Sequence, residues 1–314
     1  VFVVVPSYNH APFIERCLKS IIKQTFQPKK LLVIDDGSQD DSPEIIARVL
    51  QDCPFSSELV VRPNRGLCAT LNESVEQATG KYFAYLGSDD MWLPRFIEER
   101  VRLLESRPEA VLGYGHAHFI DDEDGVYDST LVYADSWANF PDGDARSLLL
   151  KGNAPISSTI FYRRSALEKH RWNEESRLED YEFYLKLCAE GDFAFDPQVL
   201  SAWRTHGYNT SRNKMLMLNE VIAAQKRNAA RLGIKPGELE EIQERVKFQF
   251  ASDFLHDGYK RDAFKIALEN WRGASSSLAL LKIALRFLLP MPVVHWRRGL
   301  RRKNAMAQFG SIEI

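Results

Sequence analysis

Acidic residues are missing from one long stretch of this chain: between Asn270 and Ile312 there is no Asp or Glu. Cysteine is scarce as well. Cys17, Cys53, Cys68 and Cys188 are widely spaced and form no Cys-x-x-Cys pair. That argues against a zinc site or a disulfide framework and fits a reducing compartment. No Gly-x-Gly-x-x-Gly follows an expected strand, which disfavours a dinucleotide-dependent oxidoreductase. A net charge of −2 over 314 residues gives no electrostatic ground for a nucleic-acid partner. No internal repeat is found, and no signal peptide is read at Val1, which lies inside an expected strand.

What is present is an ordinary globular share of apolar residues, 45%, enough for a sizeable core in one large domain or two small ones. Val1–Val5 and Leu31–Ile34 are short β-branched and apolar runs, expected as buried strands. Glu58–Val61 and Lys81–Leu86 are expected as a third and a fourth. Helical spacing over Phe13–Ile22, Pro43–Leu50 and Leu67–Ala78 separates them. Strands alternating with helices imply βαβ crossovers and a parallel sheet covered on both faces. Ligands then sit beyond the carboxyl ends of the strands. Three polar clusters lie at those ends: Ser7-Tyr8-Asn9, Asp35-Asp36 and Asp89-Asp90. An adjacent carboxylate pair there suits a divalent cation carrying a phosphorylated ligand, although Ser-Asp-Asp also describes an ordinary turn and helix cap.

Residues 111–162 look less regular, with Asp121–Gly125 expected as a solvated hairpin turn. A strand is expected over 156–163, a helix over Leu178–Leu187, a late strand over Val199–Trp203, and amphipathic helix from Met215 to Asn270. Lys282 and Arg286 interrupt an apolar stretch, Leu278 to Trp296, that also holds Pro290 and Pro292. A membrane span needs about 20 mostly uncharged residues, so this stretch reads better as an amphipathic segment on an anionic membrane surface. Arg297, Arg298, Arg301, Arg302 and Lys303 extend the basic character. A core-packed helical tail with a solvated basic end is the plainer alternative.

Six motifs occur in order: Val3-Val4-Val5-Pro6-Ser7-Tyr8-Asn9, Val33-Ile34-Asp35-Asp36-Gly37-Ser38, Asn64-Arg65-Gly66 with Asn72, Tyr85-Leu86-Gly87-Ser88-Asp89-Asp90, Glu179-Asp180-Tyr181-Glu182 and Arg204-Thr205-His206. Together the chain resembles the inverting family 2 glycosyltransferases with the GT-A fold, over roughly residues 1–212. The resemblance implies an α/β fold, a Rossmann-like, mostly parallel mixed sheet flanked by helices. It also divides the chain into a nucleotide-sugar-binding catalytic part, 1–212, and a helical C-terminal extension, 213–314.

The resemblance further implies roles for residues. Pro6 and Tyr8 would cover the base of a nucleotide-sugar donor, UDP-linked, and Asp36 would accept hydrogen bonds from base or ribose. Arg65, Ser88, Asp89 and Arg204 would meet the rest of the donor. Asp89, Asp90 and His206 would hold Mn²⁺ or Mg²⁺ against the diphosphate. Asp180 would be the general base, with Glu179 as its substitute, for transfer to a saccharide or lipid-linked saccharide. If the basic tail binds lipid, the protein works at the cytoplasmic face of the membrane. Two positions depart from the family pattern: Gly87 stands where the first carboxylate of Asp-x-Asp is usual, and Leu71 where Arg often precedes Asn72. They raise a rival reading as a carbohydrate-binding or scaffold protein without activity. A sugar nucleotidyltransferase is disfavoured, because the loop Pro6–His10 holds no glycine.

Overall fold

The computed structural model describes residues 1–133, 141–207 and 209–313. The segment 134–140, within the stretch 111–162 expected to be less regular, lies outside the described residues, as does position 208.

The first half follows the alternation in the sequence. β1 (Phe2–Ser7), β2 (Lys30–Asp35), β3 (Ser56–Val61) and β4 (Tyr82–Tyr85) pair in parallel in the order β3-β2-β1-β4. α1 (Ile14–Ile22), α2 (Ser42–Gln51) and α3 (Leu67–Gln77) connect them. α2 starts with Pro43, whose fixed φ suits the first helical turn. α3 starts after Gly66, whose φ of +89° is closed to ordinary L-residues.

The second half departs from a purely parallel sheet. β5 (Met91–Trp92), β6 (Ala110–Ile120), β7 (Val126–Ser129), β8 (Phe161–Arg163) and β9 (Asp192–Arg204) extend it in the order β4-β8-β6-β9-β5, with β7 as a hairpin partner of β6. β8 runs antiparallel between β4 and β6, which returns β6 to the direction of β4. β6 and β9 pair in parallel, Ile120 opposite Arg204. Four of the eight pairings among the described residues are therefore antiparallel, each involving β5, β7 or β8, while the other strands keep one direction, as in the expected mostly parallel mixed sheet. The 11-residue β6 lies in a stretch expected to be irregular. The consequence for the site is direct: the carboxyl ends of β1, β2, β4, β6 and β9 share one rim.

Period-two alternation divides the core between the two faces of the sheet. Val3, Val5, Leu31 and Val33 pack with Ile14 and Leu18 of α1, Ile46 of α2, and Phe96 and Ile97 of α4 (Phe96–Ser106). Phe2, Val4, Leu32 and Ile34 pack with the opposite layer. That layer includes Leu71 of α3 and the later helices α5 (Arg146–Leu150), α6 (Arg164–Leu167), α7 (Glu179–Leu187), α8 (Lys214–Asn228), α9 (Pro236–His256), α10 (Lys260–Glu269) and α11 (Ser277–Leu288). One apolar cluster thus runs from β1 to Ile283 of α11. Residues after 212 complete the core of residues before it.

The last helix, α12 (Met291–Phe309), lies against β7. Beyond it the chain crosses the β6–β7 turn: Val126 N donates to Gly310 O at 2.9 Å, and Ile312 N donates to Asp124 O at 3.0 Å. Phe309 and Ile312 pack on Met91, Ile120, Val126 and Ala202. The Asp121–Gly125 turn, expected to be solvated, is covered here, and only Asp122 and Glu123 in it are exposed.

Candidate active site

The rim gathers the motifs at strand ends. Ser7 and Asp35 are register partners at the ends of β1 and β2. Both oxygens of Asp35 accept from Ser38, at 2.8 Å from N and 2.7 Å from Oγ, an Asx turn that makes its role structural. Asp40 caps similarly, accepting from Ala11 N and Ser42 N at 2.9 and 3.1 Å. Asp36 turns the other way. Its carboxylate accepts from Arg65 N at 3.0 Å and Gly66 N at 2.7 Å, and pairs with Arg62 at 2.6 Å. It holds the Arg62–Gly66 loop in its lobe of the rim, beside the exposed Tyr8 and half-buried Pro6.

Asp89 is the centre of the second cluster. Its Oδ2 lies 2.9 Å from His206 Nε2, and its Oδ1 lies 3.9 Å from His10 Nδ1. The two imidazoles meet edge-on with centroids 5.3 Å apart, and His206 stacks on Phe13. Burial raises the cost of charge on Asp89, but the His206 hydrogen bond and the His10 charge bring its carboxyl below the ordinary range. Burial lowers His10 and favours its neutral form, which is the form that can ligate a metal.

His10, Asp89 and His206 offer ligand atoms within 4.8 Å of one another. Two imidazoles with one carboxylate suit a borderline ion such as Mn²⁺ better than Mg²⁺, which favours oxygen shells. This set differs from the expected Asp89, Asp90 and His206. Asp90 is buried, and its Oδ1 accepts from Arg204 N at 2.8 Å. Burial, then the charge of Asp89, pushes its carboxyl well above the ordinary range. Asp90 therefore braces the end of β9, and His10 is the third residue that could hold a metal there. His10 had only one sequence signal: it closes the first strand-end loop.

Other expected donor contacts are occupied by the protein itself. Ser88 is buried, and its Oγ meets His10 Nδ1 at 2.7 Å, so it orients that ring instead of facing the donor. The Arg204 guanidinium is wholly buried. Its Nε donates to Asp89 O at 2.7 Å, and its other nitrogens meet Asp121 O and the Asp124 carboxylate. With every nitrogen engaged or enclosed, Arg204 is a brace for the Asp89–Asp90 corner, not a phosphate contact. Arg65 reaches Glu73 at 3.2 Å. Leu71 lies fully buried in the core cluster with Phe2 and Val4. The space where a side chain on Gly87 would begin is taken by the acids: a Cβ there would lie 2.9 Å from Asp89 Oδ1 and 3.3 Å from Asp90 Oδ2.

Glu179 and Asp180 open α7, where the helix dipole favours acids. Beneath them lie the buried rings of Tyr85, Tyr162, Trp172, Phe183 and Tyr184. Glu179 and Asp180 themselves are half-buried. Burial, then the charge of Asp180, raises Glu179 to about 8; burial raises Asp180 to about 6. Asp89 is among the charges felt at Glu179, so the acid pair and the histidine cluster share one electrostatic environment. The separation of their values leaves one neutral acid beside one carboxylate near neutral pH, a division that suits proton transfer.

Residues 2–171 match the family described as glycosyl transferase family 2. Among curated relatives, an uncharacterized glycosyltransferase of Nostoc sp. is 30% identical over 173 residues, covering 54% of this chain and 52% of that protein. Chondroitin synthase of Escherichia coli is 28% identical over 239 residues, covering 75% of this chain and 33% of that protein. The chain thus spans about half the length of the first relative and a third of the second. Among solved structures, mannosyltransferase PcManGT from Pyrobaculum calidifontis, in complex with GDP-Man and Mn²⁺, aligns with a TM-score of 0.62 at 19% identity, covering 98% of this chain and 86% of that one. S. aureus TarS 1–349 in complex with UDP-GlcNAc aligns with a TM-score of 0.62 at 16% identity, covering 100% and 93%. These likenesses show the fold: a curled mixed sheet flanked by helices, of the GT-A kind.

Proposed function

The chain belongs to glycosyl transferase family 2, and from that premise we propose that it moves one sugar from a nucleotide-sugar donor to a saccharide hydroxyl with inversion. The observation that carries this reading is Asp89 held between His10 and His206, with its charge reaching Glu179 of the Glu179–Asp180 pair. Pro6 and Tyr8 flank the nucleoside, and Asp36 acts through the loop it holds. UDP is the favoured nucleotide, by analogy with the TarS complex; GDP, as in the PcManGT complex, is the competing one. The acceptor is a surface-glycan precursor or lipid-linked saccharide, a class supported by the polysaccharide synthases among the relatives.

A divalent cation on His10, Asp89 and His206 would neutralise charge growing on the departing diphosphate. Asp180 removes the acceptor proton as the acceptor oxygen bonds to the anomeric carbon and the bond to the diphosphate breaks. Burial and mutual repulsion let the pair share one proton near neutral pH, which leaves a single carboxylate to accept the acceptor proton. The test is nucleoside diphosphate release across a panel of nucleotide sugars with Mn²⁺, for the wild type and Asp180→Asn. Loss of about 10²- to 10⁴-fold in rate is expected. Equal release by both proteins removes Asp180 as the base, and no release from any donor overturns the transfer reading.

A further inference from the structure

The C-terminal helices carry a face that the fold leaves open. On α11, Leu278, Leu281, Leu285 and Leu288 are exposed, Leu288 at 77%, while Ile283 is buried on the opposite side. On α12, Val293, Trp296 and Leu300 are exposed, Trp296 at 67%, with Ala305 facing inward. Each helix repeats one arrangement: apolar residues at a position and three and seven further on, cations four and eight further on. In α11 the cations are Lys282 and Arg286; in α12 they are Arg297 and Arg301. On α10, Phe264, Leu268 and Trp271 just beyond its end add to the exposed apolar surface. Phe264 contacts Phe287 of α11, with ring centroids 5.7 Å apart.

The helices are fixed to the body. Lys260 Nζ donates to the carbonyls of Phe287 and Leu289 at 3.1 and 2.9 Å. Arg298 reaches Asp257 at 2.6 Å, and Arg301 turns to Asp128 at 3.7 Å. Lys282, Arg286, Arg297 and Lys303 stay on the surface. Among the described residues no single helix is long and apolar enough to cross a membrane; α11 and α12 reach that length and apolarity only as a pair, bent by 102° at their junction. Lys282, Arg286 and Arg297 within the pair favour the surface over the bilayer interior.

We propose that the exposed apolar face of α11 and α12, with its flanking cations, docks this protein on an anionic lipid bilayer. Leucines and Trp296 enter the boundary between headgroups and acyl chains, and the cations meet lipid phosphates. Charge complementarity favours lipid over a second copy of the chain. Neither helix holds a single acid, so two such faces set together would oppose cation to cation. The proposal stands apart from the transfer reading, because its test needs no turnover.

The experiment is flotation of the full chain with vesicles of phosphatidylcholine plus phosphatidylglycerol, against phosphatidylcholine alone. The wild type should float with the anionic vesicles and less at high salt. Leu281→Glu/Leu285→Glu should lower partitioning at least about tenfold, and Lys282→Glu/Arg286→Glu/Arg297→Glu about fivefold per cation. Circular dichroism should be unchanged, since these side chains are exposed. No wild-type flotation, or equal flotation of the leucine variant, overturns the proposal. A wild-type dimer that the leucine variant splits, without vesicle binding, would assign the face to a second copy and also overturn it.

Discussion

The Asp124 carboxylate and the buried Arg204 guanidinium form an ion pair that links the β6–β7 turn to the Asp89–Asp90 corner. Asp124 also pairs with Arg16 of α1 at 2.7 Å. Removing one member of such a pair leaves a buried charge uncompensated. Asp124→Ala should therefore lower unfolding free energy by roughly 3 kcal/mol, read from the urea midpoint. It should also weaken Mn²⁺ binding, because Arg204 positions Asp89. A loss below about 1 kcal/mol, the level of an exposed pair, would show that the carbonyls alone satisfy Arg204.

His10→Ala should weaken Mn²⁺ binding measured by calorimetry by about tenfold or more, and His206→Ala by at least as much. His295→Ala, on the exposed side of α12, should leave binding unchanged. Retained affinity in His10→Ala would return the third ligand position to Asp90.

The raised acids of α7 give a pH signature with a definite sign. Glu179 and Asp180 hold their protons longer in the folded chain than in the unfolded one. Their contribution to stability is complete below the ordinary carboxylate range and is lost as pH rises towards about 8. Glu179→Gln cannot ionise, so its stability relative to the wild type should increase between about pH 5 and pH 8. Urea titrations at several pH values check this, and a pH-independent difference would overturn it. Turnover dependent on ionised Asp180 should fall below about pH 6.

Gly87→Asp would restore the carboxylate usual at that position in the family, yet the new Cβ starts 2.9 Å from Asp89 Oδ1. The Asp89 carboxylate, whose other oxygen meets His206, must shift. The expected result is a loss of about 1–3 kcal/mol from crowding together with weaker Mn²⁺ binding. Thermal unfolding with and without Mn²⁺ distinguishes this from a gain in metal-dependent stabilisation, which would show that the corner can reorganise.

The βαβ alternation was legible because β1, β2 and β4 are short apolar runs between helical periodicities. Their ends named the rim, and the motifs named Asp89 and His206, which the fold sets 2.9 Å apart, and Glu179 and Asp180, which open one helix. β6 was not legible: Gly113, Gly115, His116 and His118 interrupt its apolar residues, although both of its faces are covered. Arg204 and Ser88 were misread for another reason. Sequence shows a side chain's chemistry but not which backbone groups will need it, and here carbonyls of residues 89 and 121 bind the cation. His10 was hidden because its partners, Ser88 and Asp89, lie 78 or more residues away.

The crossing of residues 310–312 over the β6–β7 turn has a practical consequence. The resemblance divides the chain near residue 212, and that division invites a shortened catalytic fragment. Such a fragment would lose the hydrogen bonds that Val126 N donates to Gly310 O and Ile312 N donates to Asp124 O, and with them the cover over the turn that grips Arg204. Its poor metal binding would then be misread as a property of the enzyme. A fair assay of this site keeps residues 213–312 with the rim they cover.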